Sequence, residues 1–440
     1  MKLLRLHSDQ TLLSLAMSTC AGTPLTLQQL QRRFEQLRRF QARLRLPAAS
    51  YFEAIGRRYR LPLRAEHAEP RKHVSVRVRD YLAGFFDGDG CVQGTGGCVK
   101  LSVTQTQSSS SVLLFFRNVL GGGIIRHTAT VGLWRPCLMW QVYAQTAQRA
   151  AAVLLGSSCC KRSQLAIASQ WRQHLRLQAC ALADLKRLKR EEPPPVSCPS
   201  WHYLAGFFDA EGSISTRRPA YVRLDIGQKH PQVLQAFEVF LAAQGVHCSI
   251  YRDRKNAFHR LTIHRSADCK YVLASLVAAG LRAKRKAARI AMNICKQDFH
   301  EVRSKLQAEA GNQGRYRRLS LLGLARAESI RGLQKQLWRF EGPGRGVLES
   351  QLEKLQEDHK LRCAEERLQL LRSDIRSLLA AGASSHCVLT SMPAYSVSDA
   401  TSTYVMSTLR NYKRECSAHT NTTATWGFPE RGTPYIPQIL

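Results

Sequence analysis

The sequence has no long apolar run. No stretch approaches the roughly 20 residues that a helix needs to cross a bilayer. Ser8-Asp9-Gln10 interrupts the apolar N-terminus early, so neither a membrane partner nor a secretory signal is expected. Paired cysteines are missing as well. Fourteen cysteines are scattered without one CxxC pair, and Cys159-Cys160 are adjacent, a poor signature for zinc or for a disulfide. The 14 histidines show no metal-ligand spacing near them. Reduced, structural thiols are the expectation. Negative charge is also scarce: 32 acidic side chains face 65 basic ones, a net charge of +33. That imbalance points to a polyanionic partner, because each phosphate neutralised releases condensed counterions. No compact polybasic amphipathic helix speaks for a membrane surface, which leaves nucleic acid. Arginine (48) outnumbers lysine (17). This suits bidentate contacts to phosphate and guanine and is equally the codon bias of a GC-rich gene.

Against these absences stands a duplication. Leu82–Gly90 reads LAGFFDGDG and Leu204–Gly212 reads LAGFFDAEG, an offset of 122. Gln105 and Gln228 are 123 apart, as are Lys161-Arg162 and Lys284-Arg285. Landmarks at a nearly constant offset predict two supersecondary units, each incomplete alone.

The chain divides accordingly. Residues 1–75 form a basic N-terminal extension, in which Leu27, Leu30, Phe34, Leu37 and Phe40 stand at helical spacing. It is read as a basic helix packing on the main domain or as an organelle transit peptide; the compartment is an organelle or the nucleus. Unit one spans 76–180. Asp80, or a residue just before it, caps a short helix that ends at Gly90. Gly94–Gly97 turns, Cys98–Gln105 alternates as a half-buried strand, and Val112–Leu120 is a helix stopped by Gly121-Gly122-Gly123. Strands Ile124–Thr128 and Leu138–Tyr143 and the helix Thr146–Leu155 complete the unit. Residues 181–200 link the units, with a basic stretch Lys186–Arg190 and the stiff Pro193-Pro194-Pro195. Unit two spans 201–300 and repeats the order, with Ser200 as N-cap, strands near Tyr221–Ile226, Cys248–Arg254 and His259–His264, and helices Val233–Ala243 and Lys270–Ala279. Each unit reads αββαββα, an α+β class. Over 301–382, Leu361, Ala364, Leu368, Leu371, Ile375 and Leu378 step by three and four. This is an amphipathic helix that folds back on the protein or a short dimer zipper. Residues 383–440, rich in Ser and Thr, are expected to be a flexible tail.

Each phrase runs an apolar, small-residue stretch into a carboxylate. Gly84 and Gly88, and Gly206 and Ala210, stand four apart and form smooth strips on which two helices can approach closely. Packed together, they would bring Asp89 and Glu211 side by side. Neighbouring carboxylates repel, and one pKa rises unless a cation sits between them. Hard oxygen ligands suit Mg²⁺, with Mn²⁺ as the alternative, and Mg²⁺ retains waters that can act on a phosphodiester.

These residues resemble the LAGLIDADG homing endonuclease family over about 80–300. The resemblance implies a monomer with two pseudo-symmetric αββαββα halves, paired motif helices at the interface, and two antiparallel sheets forming a saddle over double-stranded DNA. It implies that the last acid of each motif, Asp89 and Glu211, binds the metal, with Gly88 and Ala210 in the same metal site. Gln105 and Gln228 match the polar strand residue that orients solvent. Lys161 and Lys284 match the basic residue near the last helix, with Arg162, Arg285 and Lys286 as alternatives. Saddle residues expected on the DNA are Lys100, Ser102, Thr104 and Arg126 in unit one, and Tyr221, Arg223, Asp225, Arg252 and Arg254 in unit two. The implied activity is site-specific cutting of both DNA strands. The alternatives are a maturase that binds intron RNA and a non-catalytic DNA-binding protein of the same fold.

Overall fold

The alternation of apolar and basic residues over 27–41 produces the first helix, α1 (Leu27–Gln41). Thr26 closes its start with a capping box: its hydroxyl accepts from the Gln29 amide, and Gln29 accepts from the Thr26 amide. A short hairpin follows, β1 (Tyr51–Ala54) and β2 (Arg57–Arg60). The structure, a computed structural model, describes residues 25–385 apart from 69–70, 96, 129–131, 172–173, 195–198, 218–219, 254–257 and 313. The expected tail lies outside the described residues from 386 onward.

Unit one consists of α2 (Val76–Asp89), β3 (Gly90–Thr95), β4 (Cys98–Thr106), α3 (Ser110–Leu120), β5 (Gly123–Thr128), β6 (Cys137–Tyr143), α4 (Ala144–Leu155), α5 (Arg162–Ser169) and α6 (Leu175–Leu188). Unit two repeats it with α7 (Trp201–Glu211), β7 (Gly212–Arg217), β8 (Tyr221–Gln228), α8 (Gln232–Ala243), β9 (Ser249–Asp253), β10 (Phe258–Ile263), α9 (Ser266–Ala278) and α10 (Arg285–Met292). Both sheets are antiparallel with the same strand order, β3-β4-β6-β5 and β7-β8-β10-β9. This is the mixed fold of two αββαββα units that the duplication implied. The apolar alternation explains the sheets. Val99, Leu101 and Val103 are fully buried in the first, and Val222, Leu224 and Ile226 face the core of the second.

Three local readings change. Asp80 does not cap α2: Ser75 precedes the helix, and Asp80 lies a turn inside, accepting from Ser157 and Ser200. The first strand of each unit, β3 and β7, starts directly at the motif glycine. Unit one does not end at 180, because α6 crosses into the expected linker and stays helical to Leu188. Leu185 is buried, and Leu182 lies over Gly94 of β3. An apolar helical face overrode the basic composition there. Ser200 does cap α7, accepting from the Tyr203 amide at 3.2 Å. After α3 the chain turns through Gly121 and Gly122 at φ 81° and 88°, where a side chain is disfavoured. The freed Gly121 carbonyl accepts from the buried Trp140 indole at 2.8 Å.

Helices α2 and α7 pack through their small-residue strips. A Cβ at Gly84 would overlap the Tyr203 carbonyl oxygen, one at Gly206 the Tyr81 carbonyl oxygen, and one at Gly88 the Ala210 methyl. The obstacle at Gly84 and Gly206 is backbone, which cannot rotate away. Gly84→Ala and Gly206→Ala should therefore each push the helices apart and destabilise the fold by about 1–3 kcal/mol, the usual range for overpacking. Denaturant unfolding checks this, and an unchanged midpoint for both would refute the close approach.

The flanking segments build on unit one. Phe52 of β1 is fully buried in the main core, and Leu63 exchanges two backbone hydrogen bonds with Ile124 on the outer strand β5. Beyond unit two come α11 (Phe299–Glu309), α12 (Leu321–Arg339) and α13 (Arg345–Ala380). The stepped residues of α13 face inward. Leu368, Leu371, Ile375 and Leu378 form a second core with Leu30, Leu37 and Phe40 of α1, and Leu361 and Ala364 pack against it. The seam thus folds back on the protein, and α1 covers it. Arg315 and Tyr316 bind the Asp374 carboxylate beside this core, at 2.8 and 2.9 Å. Among the described residues, no helix is long and apolar enough to cross a membrane.

Candidate active site

The site forms where α2 and α7 end. Asp89 is the last residue of α2 and Glu211 the last of α7. A Cβ on Gly88 would stand 3.1 Å from Glu211 Cγ, which places the two acids across one narrow seam. Both sit at the negative end of a helix dipole. Burial raises the Asp89 carboxyl above the usual carboxylate range; Lys284, Lys161 and the Gln105 hydrogen bond oppose the rise. Burial also raises Glu211, and the Asp89 charge adds to it. Gln105 Nε2 donates to Asp89 Oδ2 at 2.5 Å. Gln228 occupies the matching place on β8, in register with His259; among the described residues, no hydrogen bond from it reaches Glu211.

Lys161 and Lys284 close the helix ends. Lys161 Nζ donates to the carbonyls of Phe86, Asp87 and Gly88 at 2.9, 2.5 and 3.0 Å. Lys284 Nζ donates to the carbonyl of Asp209, and to that of Ala210 at 3.3 Å. Burial lowers the Lys284 pKa, while Asp209, Asp89 and Glu211 pull it back up. The Gly88 and Ala210 carbonyls therefore already accept from lysine. Of the alternatives to these lysines, Lys286 pairs instead with Glu309 at 2.6 Å, and Arg162 and Arg285 are exposed.

Sequence reasoning passed over what holds the lysines in place. The first acid of each motif is buried: Asp87 is 3% exposed and Asp209 2%. Asp87 accepts from Ser158 Oγ, from the amides of Cys159, Cys160 and Lys161, and from Tyr203 OH, at 2.6–3.0 Å. Asp209 accepts from the amides of Arg282 and Lys284 and from Tyr81 OH, at 2.6–2.8 Å. Each tyrosine thus reaches across the interface to the other helix's aspartate. Burial, then the neighbouring aspartate, raises both phenols far above their ordinary pKa. The signal was present, since Tyr81 and Tyr203 extend the repeated phrase by one residue.

The saddle residues divide by strand register. Cys91, Ser102 and Gln141 align across sheet one, as do Gln93, Lys100 and Tyr143 on neighbouring strands. Lys100, Ser102 and Thr104 therefore share the face away from the core, although Ser102 is only 6% exposed. Arg126 is not among them. It pairs in register with Leu138 and, through it, Gln105, so it lies on the helix side at the sheet margin beside a β-bulge. Arg252 likewise aligns with His259 and Gln228. The alternation slipped because each outer strand was read without its partner. Tyr221, Arg223 and Asp225 hold the open face of sheet two. Arg223 pairs with Asp225 at 2.8 Å, and Asp225 also accepts from Thr262 at 2.7 Å. Register adds Gln141 and Tyr143, and Ser213, Ser215, Arg217, Tyr251 and Arg260, to these faces. Arg254 lies outside the described residues.

Among the described residues, no three His, Cys, Asp or Glu side chains cluster as a metal site. The donor set at the seam is two hard carboxylates, both resisting ionisation. It fits a divalent cation that keeps several waters rather than a fully protein-ligated one.

Residues 201–275 match the family model described as a LAGLIDADG-like domain. No curated protein matches the chain. Among solved structures, similarity extends to I-SmaMI bound to uncleaved DNA in the presence of calcium ions, with 14% identity over 53% of this chain and 98% of that one and a TM-score of 0.39. It extends also to I-AabMI bound to uncleaved DNA, with 14% identity, 52% and 97% coverage and a TM-score of 0.40. A third is I-GzeII in complex with its DNA target, with 12% identity, 52% and 96% coverage and a TM-score of 0.37. Residues 201–275 are thus a LAGLIDADG-like domain that contains the second motif copy, and the first copy repeats it as a helix packed glycine to backbone against it.

Proposed function

We propose that this protein is a site-specific, divalent-metal-dependent endonuclease that cuts both strands of a long, asymmetric DNA site as a monomer. The observation that carries the reading is the seam itself, with Asp89 and Glu211 at the ends of two packed helices between two sheets. Asp89 and Glu211 would hold Mg²⁺, or Mn²⁺ in its place. The bound cation supplies water of lowered pKa and charge stabilisation at the scissile phosphates. Gln105 orients the Asp89 carboxylate, and Gln228 would orient solvent in the other half. Lys161 and Lys284 hold the last turn of each motif helix and place positive charge beside both acids. Lys100, Thr104, Tyr221 and Arg223 meet the DNA from the open faces, where phosphate contacts position and base-edge contacts specify.

Two non-identical halves recognise an asymmetric sequence. Selection of cut sites from a randomised duplex library in Mg²⁺ should return one long, non-palindromic consensus. Binding to that site should weaken steeply with salt, with a log–log slope of about −0.9 per phosphate contacted. No cut products with Mg²⁺ or Mn²⁺, or salt-independent binding, would overturn the reading. Binding to structured intron RNA without DNA cutting would favour the maturase alternative.

A further inference from the structure

The basic stretch Lys186–Arg190 has no part in the site described above. Helix α6 runs back along β3 from the β3–β4 turn, where Gln178 Nε2 donates to the Gly97 carbonyl at 2.9 Å. Leu185 then packs into the core, while Leu182, 37% exposed, lies over Gly94 at the sheet edge. One turn later the same packing face carries Lys189, whose Nζ stands 3.9 Å from Cys91 Sγ. Cys91 lies two residues beyond Asp89 and shares the open face with Ser102. A cation has thus replaced leucine where the helix reaches the start of β3, beside the catalytic seam.

Its neighbours divide by helical spacing. Lys186 in the last turn of α6, Lys189 at its C-cap and Arg190 just beyond stand at i, i+3 and i+4. All three are exposed, and none has a carboxylate partner among the described residues. Arg187 pairs with Asp184 at 3.2 Å and Glu191 at 2.7 Å. The local acids Asp184 and Glu191 therefore neutralise Arg187 and leave Lys186, Lys189 and Arg190 charged. The helix that follows unit two differs: α11 ends in Glu309, which Lys286 neutralises.

We infer that Lys186, Lys189 and Arg190 form a phosphate clamp that grips the DNA backbone beside the unit-one half of the seam, without an equivalent among the described residues of the other half. The inference rests on the endonuclease reading above. The occupant is the sugar–phosphate backbone, because the three exposed cations have no carboxylate partner among the described residues and one of them stands beside Cys91 on the open face. Since the clamp occurs once, it positions one scissile phosphate more than the other.

The test uses the full chain with Lys186→Ala, Lys189→Ala and Arg190→Ala combined, on the selected DNA site with Mg²⁺ for cutting and Ca²⁺ for binding. The salt slope should become shallower by about 2–3, at roughly 0.9 per lost phosphate contact, with the melting temperature unchanged. On supercoiled plasmid, nicked product should accumulate as one strand lags, and Lys189→Arg should restore linear product where Lys189→Ala does not. An unchanged salt slope, equal slowing of both strands, or a loss that tracks a lowered melting temperature would overturn the clamp and leave the endonuclease reading standing. A wild-type chain that neither binds nor cuts duplex DNA would overturn both.

Discussion

Asp89→Asn and Glu211→Gln should each abolish double-strand cutting while DNA binding stays within a few-fold of wild type. The substitutions keep shape and hydrogen bonding and remove the charge that would hold the cation. Loss of metal assistance is a matter of several kcal/mol, and each 1.36 kcal/mol is tenfold in rate, so a fall of about three or more orders of magnitude is expected. A second readout does not depend on activity. Both carboxyls are raised in the folded state, so the native protein holds their protons to higher pH than the unfolded chain does. Between the unfolded value of about 4 and the folded one, stability falls as pH rises. Above that window the ionised pair burdens the fold. Asp89→Asn/Glu211→Gln should therefore melt higher than wild type at neutral pH, and the difference should vanish below about pH 4. Mg²⁺ should raise the melting temperature of the wild type, by linkage, but not that of the double variant. Wild-type cutting by the double variant, or equal melting with and without the acids and the ion, would remove the site from this seam.

The second large effect concerns stability. Asp87→Ala strips the acceptor from three backbone amides and two hydroxyls gathered around one buried carboxylate. Each buried donor left unsatisfied costs about 1–3 kcal/mol. With some relief from water, the total loss is on the order of 4 kcal/mol. Asp209→Ala should lose less, since Asp209 accepts from three donors, and Tyr81→Phe less again, about 1 kcal/mol. Cutting should fall with the Asp87 substitution even below the melting transition, because the amide of Lys161 is among the donors released and its ammonium then no longer meets the carbonyls of Phe86–Gly88. Denaturant unfolding at constant pH measures the order. A ranking with Tyr81→Phe the most damaging would show that the aspartates are not the organising groups.

The two effects separate the roles of the repeated acids. Both copies read D-x-D or D-x-E, yet one acid of each pair is spent on architecture and the other is left at the seam. Asp87 and Asp209 point to the chain entering α5 and α10, respectively, and to the tyrosine of the opposite motif helix. Asp89 and Glu211, two residues further, fall where both helices end, and among the described residues no backbone amide donates to either. The helix period decides this, since a step of two residues turns a side chain by more than half the circumference.

Much of this was legible in the chain. A phrase stated twice at a constant offset, small residues four apart and an acid before a glycine were enough to predict paired helices, two αββαββα units and the acids at their ends, because those properties are local and periodic. The apolar seam of α13 was equally legible as a face, but only packing against α1 shows that it is covered within the chain. Register was not legible: Arg126 and Arg252 moved to the helix side because a strand's face depends on the partner it pairs with and on bulges. Nor could sequence tell that Lys161 and Lys284 serve the helix carbonyls, or that Lys189 comes to rest beside Cys91. Those contacts join residues about 75 and 98 positions apart, and only the folded chain, by burying the apolar faces between them, sets their distance.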